Sequence, residues 1–269
     1  MGLAEFRAFH EPALMRDEVR HGLLLSALAQ ASGEHGSGLS IWTLGGAGQC
    51  AVLLAGHAII LGDFEQAQCR ALAALTAETD YSGVFGSEMT AVWFSERAAE
   101  LGVQFLAPYR MRLHVIRDKP RFPGSAGYAR PVTIADLALF TDWFCAFQRE
   151  AVPHDPPPAK EGLERLVANE RFLFWIDDEA PVSMAGIVRR LKNSAAISGV
   201  YTPPERRGRG YAGSVTATTV ERIYGEGYPI ASLYTDTSNP AANRCYRKIG
   251  FAPIGTALHF HKVRSTAGT

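Results

Sequence analysis

The sequence predicts a mixed α/β protein built as two units in tandem, and three observations carry that prediction. The chain has 269 residues, enough for two ordinary domains. Helical and strand periods alternate along it, and the order of elements in the first half recurs in the second. Between the halves lies "RDKPRFPGSAGYA", rich in proline, glycine and charge and without periodicity. Residues 1–117 are read as one domain, 118–128 as a linker and 129–269 as a second domain.

The first half opens with helical spacing over residues 11–31. Three glycine-punctuated strands follow, "LSIWTLGG", "QCAVLLAG" and "HAIILGD". A helix over 64–78, the short strand "SGVFGS", a helix over 88–101 and the strand region "YRMRLHVIR" complete it. The second half opens with a helix over 134–150, with Asp136 in its first turn. "PHDPPP" is a loop, because proline removes the amide and fixes φ. A short helix over 160–169 leads to the strands "FLFWID", "PVSMAGIVRR" and "AAISGVYT". A helix over 209–226 ends at the glycines of "GEGYP". The strand "IASLYTD", a helix in "NPAANRCYRKIG" closed by Gly250, and two strands around a turn in "FAPIGTALHFHKV" finish the chain.

Composition narrows the function. Hydrophobic residues make up 47% of the chain and aromatic residues 10%, which suits a packed core. Lys+Arg and Asp+Glu both total 27, so the global basic excess of a nucleic-acid binder is missing. Any anion site must be local. Cys50, Cys69, Cys145 and Cys245 are scattered, without metal-ligand spacing, and are read as reduced thiols of a cytoplasmic protein. The N-terminus lacks the pattern of a signal peptide, and no apolar run is long enough to span a bilayer. Neither a metal nor a membrane is called for.

The local anion site is in "YTPPERRGRGYAGSV". This stretch follows a strand and opens a helix. The first amides of a helix point outward without partners, and the helix dipole adds positive potential there. Gly208 and Gly210 let a ligand approach the backbone. Arg206, Arg207 and Arg209 add charge-assisted contacts. The result is a phosphate-binding construction. Neither the nucleotide P-loop G-x-x-x-x-G-K-[ST] nor the dinucleotide G-x-G-x-x-G is present. What is present is R-x-x-G-x-A, at Arg207, Gly210 and Ala212.

That pattern resembles the pyrophosphate loop of the GNAT superfamily of acyl-CoA-dependent N-acyltransferases. "NPAANRCYRKIGF" is similar to the family's N-x-x-A-x-x-x-Y-x-K-x-G-F segment, with Asn239, Ala242, Tyr246, Lys248, Gly250 and Phe251 in step. The likeness covers residues 128–263. The first half shares only the succession of elements. The resemblance implies two GNAT-like units, each a mixed, mostly antiparallel twisted sheet flanked by helices. It implies acetyl-CoA as cosubstrate and transfer of an acetyl group to a primary amine of a small molecule or peptide. Val200, Tyr201 and Thr202 would pair with the pantetheine arm, and the amides of Gly208, Arg209, Gly210, Tyr211, Ala212 and Gly213 would hold the pyrophosphate. Asn239 would meet the pantetheine chain or cap its own helix, and Asn243, one turn on, would face the cofactor too. Tyr246 would protonate the departing thiolate.

Many family members carry a carboxylate on the strand before the loop, and "AAISGVYT" has none. The base is therefore open between a water relay, a backbone carbonyl and Glu150, which lies before the proline loop and is the candidate substrate-binding residue. In the first half the matching loop is "LGDFEQAQ". Asp63 and Glu65 stand there in place of arginines and would repel a pyrophosphate. That half is expected to wall the acceptor pocket or form a homodimer contact. The alternatives are an acyl-CoA-binding sensor without turnover, and an amino-acid N-acyltransferase for longer acyl chains.

Overall fold

The structure is a computed structural model, and it describes residues 1–30, 38–155 and 157–263. Residue 31 of the helix read over 11–31, residue 156 of the proline loop and the end of the 129–269 domain lie outside the described residues. The chain divides into two compact units, Met1–Leu113 with the chain from Gly255 onward, and His114–Ile254.

Unit 1 begins with α1 (Leu3–Leu14) and α2 (Gly22–Gln30), then β1 (Leu39–Thr43), β2 (Cys50–Leu54) and β3 (Ala58–Leu61). α3 (Gln66–Leu75), β4 (Gly83–Ser87), α4 (Glu88–Glu100) and the start of β5 (Tyr109–Ile116) follow. The helix expected over 11–31 is two helices. α1 starts earlier because Phe6, His10 and Leu14, spaced four apart, are all buried on one face. The order β1-β2-β3-β4 has one parallel pair, β3 with β4.

Unit 2 holds β6 (Tyr128–Pro131), α5 (Leu137–Ala151), α6 (Lys160–Ala168), β7 (Phe172–Asp177), β8 (Ala180–Arg190), β9 (Ser194–Tyr201), α7 (Tyr211–Gly225), β10 (Ile230–Asp236) and α8 (Pro240–Ile249). Its strands lie in the order β10-β9-β8-β7-β6, antiparallel except β10 with β9. Residues of β7 alternate between two cores, as a strand's period of two requires. Leu173 and Trp175 join the core under α7 and α8. Phe172, Phe174 and Ile176 join the core under α5 and α6. The latter is dominated by fully buried phenylalanines, Phe140, Phe172 and Phe174, each stabilising by roughly 1.5–3 kcal/mol.

The two strands expected in "FAPIGTALHFHKV" are one, β11 (Ala252–His261). Its later residues pair antiparallel with β4 inside unit 1, from Ala257↔Ser87 to His261↔Gly83. Gly255 does not make a turn. A Cβ there would come 2.8 Å from the Arg20 guanidinium, so the glycine permits a close approach.

The entry to α5 gives a stability prediction. Asp136 accepts from Arg130 at 2.7 and 2.8 Å and from the Thr133 amide and hydroxyl at 2.9 and 2.8 Å. The Arg130 guanidinium, with the Thr133 donors, holds this carboxyl far below the usual carboxylate range against the cost of burial. Asp136→Asn is expected to cost about 2 kcal/mol at neutral pH, the scale of hydrogen bonds to a charged group. A depressed folded pKa stabilises above the unfolded pKa of about 4 and is lost as pH falls below it. The melting-temperature gap between wild type and variant should therefore narrow from pH 4 downward; a gap constant to pH 2 counts against it.

Candidate active site

The site is built around the end of β9. Its parallel ladder with β10 stops at Leu233↔Ile197. Beyond that pair β9 runs on through residues 198–201 and β10 through 234–236 without pairing to each other. On the other side, β8 registers Gly186 with Ser198 and Met184 with Tyr201. Gly199 and Val200 thus oppose the single residue Ala185, which is a β-bulge. Gly199 has φ +63°, in the left-handed region where glycine carries no steric penalty. The sequence reading missed it, although an isolated glycine inside a strand pattern is itself a signal for a bulge. Backbone at Val200 therefore lies on a bulged edge that β10 has left. Tyr201 and Thr202 are anchored by the buried Ser183, whose hydroxyl donates to the Tyr201 carbonyl at 2.9 Å and lies 2.8 Å from the Thr202 hydroxyl.

The loop then leads into α7. Gly208 and Gly210 have φ +80° and +86°, and a Cβ at Gly208 would meet no atom within 4 Å. Gly210 is the N-cap of α7 and supplies no side-chain cap. The first helical bond runs from the Ser214 amide to the Gly210 carbonyl at 3.1 Å. The amides of Tyr211, Ala212 and Gly213 precede that ladder and have no acceptor four residues back. Arg209 is exposed and makes no ion pair among the described residues.

Arg207 is placed otherwise than the sequence suggested, and the side-chain positions of Gly213 and Tyr211 are taken up by packing. Arg207 donates through Nε to the Thr202 carbonyl at 2.9 Å and through Nη2 to both Glu150 oxygens at 2.9 and 2.7 Å. The expected phosphate ligand and the expected acceptor carboxylate are thus each other's partners, because α5 ends opposite the loop. Gly213 is small for a packing reason: a Cβ there would come 2.2 Å from the Phe122 ring. The linker holds that ring in place, with the Ser125 amide donating to the Ser214 hydroxyl at 2.8 Å. Tyr211 turns its side chain inward, where its hydroxyl donates to Asp177, so only its amide is left for a ligand.

α8 presents the remaining candidates. Asn239 is the N-cap, its side-chain oxygen accepting from the Ala242 amide at 3.0 Å. Asn243 does not face outward. It is buried, accepts from the Thr235 hydroxyl at 3.0 Å, and donates to the carbonyls of Asp236 and Asn239 at 2.8 and 2.7 Å. It ties α8 to the end of β10. Tyr246 is buried between His114 and Phe251, with ring centroids 6.5 and 5.9 Å away. Its hydroxyl has no hydrogen-bond partner among the described residues, and burial pushes the phenol well above its ordinary range. His114, 3.4 Å from the Asn243 oxygen through Nε2, is a neighbour that sequence reading missed; a histidine within "RLHVI" carries no signal of its own.

The corresponding loop of unit 1 is differently built. Glu65 is the N-cap of α3 in a reciprocal capping box with Gln68. Asp63 pairs with His21 at 3.1 Å. Burial lowers the His21 pKa, but the Asp63 carboxylate outweighs it and the net shift is upward. The anion place at this helix start is filled by the chain's own carboxylates.

A strand that parts from its parallel neighbour thus leads into an uncapped helix start behind left-handed glycines. Residues 137–251 match the model of the acetyltransferase (GNAT) family. No curated protein matches the chain. Among solved structures, a Drosophila protein is similar at TM-score 0.71 and 14% identity, over 98% of this chain and 97% of that one. A GCN5-related N-acetyltransferase from Sphaerobacter thermophilus gives 0.64 and 17%, over 89% and 85%. One from Kribbella flavida gives 0.59 and 18%, over 91% and 96%. At these identities the likeness concerns the fold.

Proposed function

We propose that unit 2 transfers an acetyl group from acetyl-CoA to a primary amine of a small molecule or peptide, by direct attack. The observation that carries this reading is the uncapped first turn of α7 behind Gly208 and Gly210, at the end of a strand that has left its neighbour. Acetyl-CoA supplies the activated thioester. The amides of Tyr211, Ala212 and Gly213 and the Arg209 guanidinium hold the diphosphate. The open edge of β9 at Val200 pairs with the amide-bearing arm. Tyr246 keeps its proton at Oη until the amine nitrogen bonds to the carbonyl carbon and the carbon–sulfur bond breaks; that proton then goes to sulfur, and the phenolate regains one from water, which closes the cycle. The amine's own proton leaves to water at the opening, since Glu150 is engaged by Arg207. Unit 1 has its helix start filled by Glu65 and takes no CoA, so one mole binds per chain. The reducing cytosol is the compartment that suits four free cysteines.

Gly208→Asp tests the cofactor. Aspartate tolerates the left-handed region and has open space there, so the variant should melt near wild type. At 100 times the dissociation constant, acetyl-CoA should add about 2.7 kcal/mol to wild-type stability, and the variant should lose most of that gain to charge repulsion. Equal shifts in both proteins would sink the assignment of the loop. Calorimetry should return a stoichiometry near one; two would overturn the reading of unit 1. Thiol release with an amine panel separates transfer from a sensor that binds without turnover.

A further inference from the structure

Residues 118–126 form a strap on unit 2 that runs along α7 from the helix's last turn to its first. The Tyr224 hydroxyl donates to the Asp118 carbonyl at 3.1 Å, and the Ser125 amide donates to the Ser214 hydroxyl at 2.8 Å. The Arg121 amide donates to the Ile249 carbonyl at 2.8 Å, which ties the strap to the end of α8. The Trp175 indole donates to the Ala126 carbonyl at 2.9 Å, which ties it to β7. Pro120 and Pro123 bracket Arg121 and Phe122, and proline fixes its own φ and restricts the residue before it. The strap is thus held at both ends and stiff in the middle, where it carries Phe122.

The first turn of α7 needs such support. Gly210 caps it without a side chain. Gly213 lies within it, and glycine favours a helix by up to about 1 kcal/mol less than alanine. A first turn that frays scatters the amides of Tyr211, Ala212 and Gly213. The Phe122 ring fills the volume that a Cβ of Gly213 would take, and comes within 3.9 Å of where a Cβ of Gly210 would be. We propose that Phe122 is a positioning residue for the diphosphate of the cosubstrate. Pressed on these two glycines, it keeps the three amides aligned before the ligand arrives, which lowers the ordering cost of binding. This inference rests on the cofactor reading above and adds a residue that no part of that reading contains.

The probes are acetyl-CoA, its nucleotide half (adenosine 3′-phosphate 5′-diphosphate) and S-acetylpantetheine, which lacks the phosphates. Each is titrated into the full chain by calorimetry and ligand-observed NMR. Phe122→Ala should weaken acetyl-CoA and the nucleotide half by about tenfold or more, and S-acetylpantetheine by less than about twofold, since a misplaced contact can cost up to about 10²-fold. Gly213→Ala should weaken acetyl-CoA binding when Phe122 is present, because the new methyl meets the ring. In Phe122→Ala the same change should strengthen it, because the space is empty. That reversal of sign is the coupling expected of two sites that share one volume. Phe122→Leu, which keeps part of the ring's volume, replaces Phe122→Ala if the latter does not fold. Wild type that binds neither acetyl-CoA nor the nucleotide half overturns the reading of the site, and the role of Phe122 with it. Wild type that binds both, while the variant loses all three probes alike or none, overturns the role of Phe122 alone. Failure of both variants to fold makes Phe122 a core residue and also overturns that role.

Discussion

Tyr246→Phe should lower kcat by about 10²–10⁴-fold, the range that a positioned general acid contributes, while acetyl-CoA affinity stays within a few-fold of wild type. The hydroxyl has no partner among the described residues, so its removal breaks no internal hydrogen bond. The ring, packed between His114 and Phe251, is kept by phenylalanine. Stability should therefore change little, which separates the chemical role from a packing role. The pH profile offers a second check. Burial disfavours the phenolate, so the acid stays protonated through the ordinary tyrosine range near pH 10. An alkaline fall in wild-type kcat below that pH must come from another group, and it should persist in whatever activity the variant retains. A variant with wild-type turnover would reduce Tyr246 to a core aromatic.

Gly199→Ala should cost about 2–5 kcal/mol of stability and, in the protein that still folds, most of the activity. Two penalties add. An alanine at φ +63° is strained by roughly 1–2 kcal/mol. Its Cβ would also come 2.5 Å from the Phe172 ring, and overpacking a close-packed core costs about 1–3 kcal/mol. The ring cannot step aside easily, because it is fully buried and packs so closely on Gly186 that a Cβ there too would come 2.5 Å from it. Phe172→Leu in the same chain should recover part of the loss, since the two sites share one volume. Melting curves of the single and double variants check this. Additive losses would mean that the clash with Phe172 is not the cause.

Most of the second half was legible because its signals are local. β7, β8, β9 and β10 are apolar runs between turn residues, and α7 and α8 have recognisable starts in Gly210 and Asn239. The glycine loop was readable because a left-handed conformation is a property of one residue and its neighbours. Unit 1 was read less well at its start, where α1 depends on burial of Phe6, His10 and Leu14 that a short apolar pattern does not show. "FAPIGTALHFHKV" looked like a hairpin because Pro253 and Gly255 are turn residues. Tertiary pairing with β4 overrode that local preference.

The site was legible as a list of residue types and not as a list of partners. Arg207 and Glu150 were both noticed, but nothing in the sequence joins them across 57 positions. Asn243 was expected to face a ligand from its helical spacing, yet the end of β10 presents Thr235 and Asp236 to it instead. That Gly213 seats the Phe122 ring could not be read from the sequence either.

The family resemblance pointed to Tyr246 as the acid to test; by itself, the sequence determined the α/β class, the glycine-rich helix start, and the absence of a P-loop or dinucleotide fingerprint. These three follow from backbone propensity and near-neighbour spacing, which act over a few residues. Only the tertiary structure decided that β9 and β10 part after Ile197, that Gly199 makes the bulge, and that Arg207 braces Glu150. Those are outcomes of which distant groups share a volume or a hydrogen bond, and such distances exist only once the chain has closed on itself.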